Sequence, residues 1–85
     1  MRFLVKSFFK EPPAEEVLAL IPPEQAKVKE LLEQGALEAL YVAADNSAAW
    51  MVWNCETQDA FDQGLESLPL HDYLNFEITL LAEAS

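Results

Sequence analysis

Lys6 and Glu77 are the two side chains of this sequence with the clearest chemical use as a pair. A carboxylate can take a proton from a carbon beside a carbonyl, and a nearby ammonium stabilises the enolate that forms. The same two charges can also satisfy each other as a structural pair inside an oligomer, because paired charges in an interface are more often architectural than catalytic. Tyr41 and Trp50 are the candidates for holding a substrate, and Trp53 belongs to the same aromatic set. Aromatics on a sheet supply a flat wall and an orienting O–H or N–H, but they also fill small cores and subunit interfaces.

The other chemically capable residues read more plainly. Cys55 is the single cysteine. With no second Cys to give a disulfide or metal spacing, it reads as a small buried hydrophobe in a reducing compartment. His71 reads as a solvated turn residue. Glu15, Glu16, Glu24, Glu30 and Glu33 read as solvated helix faces, without the spacing of a calcium loop. Gly35 and Gly64 are the only glycines, so no phosphate-binding loop is present. No flavin, haem, metal or nucleotide motif appears, and the expected cofactor is none.

Positioning Lys6 beside Glu77 requires the two ends of the chain to be neighbouring strands. Met1–Phe9 alternates aromatic and β-branched residues without Gly or Pro and reads as a strand with apolar residues on both faces. Ala14–Ile21 predicts a short helix that Pro22-Pro23 interrupts. Pro23 then opens a second helix, in which Val28, Leu31 and Leu32 form one stripe and Gly35 the stop. Leu37–Ala43 and Ala48–Cys55 flank the turn formers Ala44-Asp45-Asn46-Ser47 and predict a hairpin. Thr57 is the expected N-cap of a helix carrying Phe61, Gly64, Leu65 and Leu68 on one side, and Gly64 predicts a close approach to the sheet. Ser67-Leu68-Pro69-Leu70 ends that helix, since proline lacks an amide proton and disfavours helical geometry in the residue before it. Tyr73–Leu81 reads as the last strand.

The order strand, helix, strand, strand, helix, strand is the split pattern of the α+β, ferredoxin-like fold, a single domain over 1–85. Both helices must cover one face of a four-stranded antiparallel sheet, because each has a single stripe to bury. If Phe3, Val5, Phe76 and Ile78 face the helices, Lys6 and Glu77 face the other way. That uncovered face keeps Leu4, Phe8 and a tryptophan, so two sheets are expected to pair as a dimeric α+β barrel or a larger homo-oligomer.

Composition agrees with that expectation. Of 85 residues 52% are hydrophobic, with five Phe and two Trp, more apolar surface than one thin domain readily hides. The net charge of −10 disfavours nucleic acid and anionic membrane surfaces as partners. No apolar run approaches the roughly 18 residues of a spanning helix. Lys6 and Lys10 interrupt the first strand too early for a secretory segment. The sequence therefore predicts a soluble, cytoplasmic protein that partners itself and a small molecule.

Phe3-x-Val5-Lys6, Gln34-Gly35, the aromatics Tyr41 and Trp50, and Leu68-Pro69-Leu70-x-x-Tyr73 followed by Glu77 occur in that order along nearly the whole chain. In this the sequence resembles the muconolactone isomerase family. The resemblance implies a ferredoxin-like fold, oligomers built from paired sheets, and cofactor-free isomerisation of an unsaturated lactone in bacterial aromatic catabolism. The chain departs from the family pattern at Leu4, where the family carries histidine, and at Glu38 and Val42, where it carries basic residues. Those departures imply a different substrate, or a non-catalytic oligomeric module that binds a small molecule or another protein.

Overall fold

The computed structural model describes residues 1–82. Four strands, β1 (Arg2–Phe9), β2 (Leu37–Val42), β3 (Ala49–Asn54) and β4 (Leu74–Leu81), form one antiparallel sheet in the order β2-β3-β1-β4. The helices are α1 (Glu15–Leu18), α2 (Ile21–Gln34) and α3 (Gln58–Glu66), and a 3₁₀ turn at His71–Tyr73 leads into β4. This is the expected ferredoxin-like arrangement, with the first and last strands side by side.

Where local chemistry decides, the elements begin and end as the residues require. Gly35 stops α2 in the left-handed region at φ 82, which glycine adopts without a Cβ penalty. Asn46 takes φ 62 in the hairpin turn, and Asp45 Oδ1 accepts the Ser47 amide at 3.0 Å. Thr57 Oγ1 caps α3 by accepting the Ala60 amide at 3.0 Å. Thr57→Ala leaves that amide to water and is expected to cost about 1 kcal/mol, read as a lower urea midpoint with an unchanged m-value.

The first helical segment differs from expectation. Only Glu15–Leu18 is helical before a break, and α2 starts at Ile21 with both prolines in its first turn. The first amides of a helix have no intrahelical partner, so two residues without a needed N–H are tolerated there. The first amide α2 does need is that of Glu24, which donates to Leu20 O at 2.9 Å.

The core lies between the sheet and the two longer helices. Phe3 and Val5 of β1, Met51 and Trp53 of β3 and Leu37 of β2 meet Val28 and Leu31 of α2 and Phe61 and Leu65 of α3. Phe61 stacks on Phe3 with ring centroids 4.0 Å apart and meets Trp53 edge-on at 5.8 Å. A Cβ on Gly64 would sit 2.9 Å from Trp53 Cζ3, so the helix approaches the sheet where only glycine fits. Phe76, Ile78 and Leu80 of β4 point to this same side, paired with Ser7, Val5 and Phe3. Ile78 and Leu80 are nevertheless exposed: the buried sheet residues of the core come from the other three strands, and of these three β4 side chains it is Phe76 that packs against them.

Candidate functional site

The register of the sheet sets Lys6, Glu77, Tyr41 and Trp50 in one transverse row. Tyr41 pairs with Trp50, Trp50 with Lys6, and Lys6 with Glu77. Directly paired residues project to the same face, so all four stand on the side away from the helices. Lys6 Nζ is 3.8 Å from Glu77 Oε2 and 5.8 Å from the centroid of the Trp50 ring. The Lys6 and Glu77 side chains are 43% and 64% exposed, so the isolated subunit leaves this pair in high dielectric, where such contacts are weak. At the end of the same face Arg2 Nε donates to Glu38 Oε1 at 3.0 Å. Glu38 sits at an irregularity in the pairing between Leu37 and Ala39.

None of the four row residues lines the principal cleft. That cleft, of about 720 Å³, opens on the opposite side, between α2, the ends of β1 and β4, and the β2–β3 hairpin. Its walls are chiefly hydrocarbon, from residues such as Ile21, Val28, Leu40, Val42 and Met51. This is within the range of roughly 300–1,000 Å³ usual for small-molecule sites.

Glu24, in the first turn of α2, brings a carboxylate into this cleft. Its Oε1 accepts the Leu70 amide at 3.0 Å, which ties α2 to the Leu68-Pro69-Leu70 turn. Its other oxygen has no partner among the described residues. Burial pushes the Glu24 pKa up, and the Leu70 hydrogen bond offsets this only in part. A carboxylate with raised pKa, anchored by one oxygen and open at the other, can exchange a proton with a molecule in the cleft.

The solvated-face expectation for Glu24 is therefore corrected. The signal was present in its spacing, since Glu24 precedes Val28 by four residues and Leu31 by seven, which places it on the buried stripe. His71 is also less solvated than expected. Its ring stacks over Phe76 at 5.5 Å, and Nδ1 lies 3.1 Å from Asp72 Oδ1. Cys55 is buried as expected, and burial pushes its thiol pKa up, away from reactivity. Of the positions where the resemblance implies other residues, Val42 adds hydrocarbon to the cleft, Leu4 stands on the uncovered face, and Glu38 holds Arg2. Among the described residues no helix is long and apolar enough to cross a membrane.

The family model described as muconolactone delta-isomerase matches residues 1–85. A crystal structure of muconolactone isomerase superposes with a TM-score of 0.86 at 25% identity, over 99% of this chain and 91% of that one. The 5-chloro-2-hydroxyhydroquinone dehydrochlorinase of Burkholderia phenoliruptrix AC1100, in complex with 2,5-dihydroxybenzoquinone, superposes at 0.65 with 13% identity, covering 99% of this chain and 96% of that one. An antibiotic biosynthesis monooxygenase superposes at 0.61 with 12% identity over the full length of both chains. The last two likenesses are of fold alone. No curated protein matches the chain in sequence.

Proposed function

This chain belongs to the muconolactone delta-isomerase family, and from that membership we propose an isomerase that shifts a proton along the carbon framework of a small unsaturated lactone or acid, with Glu24 as the base. The observation that carries the reading is the Glu24 carboxylate, held through one oxygen by Leu70 and set in a hydrocarbon cleft with its pKa raised. In the proposed step its free oxygen takes the proton from the carbon beside the carbonyl. The electron pair delocalises through the carbonyl and the double bond as a dienolate. Glu24 then returns the proton two carbons further along, so base and atom count are both restored.

The row Tyr41, Trp50, Lys6 and Glu77 supports self-association. Half-buried Leu4, Phe8 and Trp50 share its face, and covering them with the sheet of a second copy would turn the exposed ion pair into an interfacial one. In the competing assignment, Glu77 is the base and Lys6 stabilises the enolate within such a seam. A cytoplasmic setting fits the free thiol of Cys55.

The test is deuterium incorporation from D₂O into β,γ-unsaturated butenolides, followed by NMR with product formation. Wild-type protein is expected to catalyse both exchange and isomerisation. Lys6→Met and Glu77→Gln are expected to keep turnover within about fivefold, because neither side chain lines the cleft in which Glu24 stands. A much deeper loss in both variants, at unchanged oligomeric mass, would move the chemistry to the row. Binding without any exchange would instead favour the non-catalytic module, a reading to which the cleft's hydrocarbon walls lend some support.

A further inference from the structure

We infer that the cleft selects an uncharged, hydrophobic unsaturated carbonyl compound over an anionic one. This deepens the proposed function, and rests on it for the nature of the reacting group. Three features of the molecule carry the inference.

The first is the lining. From Val28 on α2 across to Leu40, Val42 and Met51 on the hairpin strands, the walls offer neither donor nor cation from their side chains. A carboxylate moved into such surroundings loses hydration that nothing there replaces, whereas an alkyl or aryl group gains by leaving water. The second is charge. Glu24 already places an anion in the cleft, and a second anion near it is repelled more strongly than in water because the surroundings screen less. The chain as a whole carries a net charge of −10, which adds to the repulsion on approach.

The third is where the cationic side chain of the cleft stands. Among the described residues Lys29 is the one Lys or Arg in its lining, and it is exposed. Its ammonium keeps its own hydration and is suited to meeting solvent, not to neutralising a charge at the depth of Val28 or Met51. The remaining polar side chains, Ser7, Gln25, Asn46 and Ser47, are uncharged. Such groups orient a carbonyl oxygen without demanding a formal charge. The cleft therefore offers neutral hydrogen bonding, a hydrocarbon wall and a base.

Calorimetric titration of the wild-type protein with two ligands tests this. One is a β,γ-unsaturated butenolide with a pentyl substituent, and the other is the same ring and chain ending in a carboxylate. The neutral ligand is expected to bind roughly tenfold or more tightly than the anion. Glu24→Gln is expected to retain the neutral ligand and to narrow the gap by improving the anion, since the repelling charge is gone. Equal binding, tighter binding of the anion, or no binding of either ligand overturns the inference. Anion binding that matches the neutral ligand's and is lost in Lys29→Met also overturns it, by assigning the neutralising charge to that lysine. Because the readout is binding, a neutral ligand that binds without isomerising supports the preference while counting against catalysis. Turnover of a preferred anion does the reverse.

Discussion

Replacing Glu24 by glutamine is expected to lower isomerase turnover roughly 10²–10⁴-fold, the range associated with loss of a positioned general base. The substitution is chosen to isolate the proton-transfer role. Glutamine is nearly isosteric, and its carbonyl can accept the Leu70 amide that Glu24 Oε1 holds at 3.0 Å. The turn that closes one end of the cleft should therefore stay in place. Wild-type kcat/KM should fall on the acid side, with a break above the ordinary glutamate range, because burial raises the Glu24 pKa and only the ionised form accepts a proton. Stability should move in the opposite sense. The native state holds the Glu24 proton more tightly than the unfolded chain, so stability declines as pH rises from the normal glutamate range through the raised value. Glu24→Gln removes that cost, and should melt above wild type at pH 7 with the difference closing in acid. A variant that is both less active and more stable separates a functional carboxylate from a structural one. Turnover within about threefold of wild type would remove Glu24 from the chemistry.

The elements that could be read from the residues were those settled within a few positions. Gly35, Asn46 and Thr57 each act through their own backbone or a neighbour's amide, and each stands where its chemistry requires. Adjacency of Lys6 and Glu77 followed from strand alternation and strand order, two rules that operate over the whole sheet. The cleft was not legible in that way. Its walls come from both ends of the chain, from α2 and from the hairpin, and their separation depends on how far the helix stands off the sheet. Glu24 shows the consequence: by residue type it belongs on a wet face, and its neighbours in space, Leu70 among them, overrule that preference. The pair Pro22-Pro23 misleads for a related reason, since its effect depends on whether it falls in the first turn of a helix or deeper within one.

Phe61→Ala is expected to cost roughly 3–5 kcal/mol, the range for removing a buried aromatic. Phe61 has no solvent exposure and lies between the stacked ring of Phe3 and the edge of Trp53. Neither neighbour can readily close the gap. Trp53 is itself fully buried and bears against Gly64, while Phe3 is fixed in the centre of the sheet by strands on both sides. A cavity bounded by groups that cannot move inward retains most of its volume, which places the loss towards the upper end of the range. At roughly 0.05–0.15 kcal/mol per residue, a domain of this length has only about 4–13 kcal/mol in total, so a loss near 5 kcal/mol takes from roughly 40% to all of it, and a variant that stays folded does so on the monomer's remaining stability or through association. Urea unfolding at two protein concentrations distinguishes these cases, because a native state maintained by a second copy shifts its midpoint with concentration and a monomer does not. A loss below about 1.5 kcal/mol at both concentrations would mean that Phe3 and Trp53 relax into the space, and that the aromatic stack beneath α3 is less rigid than its geometry implies.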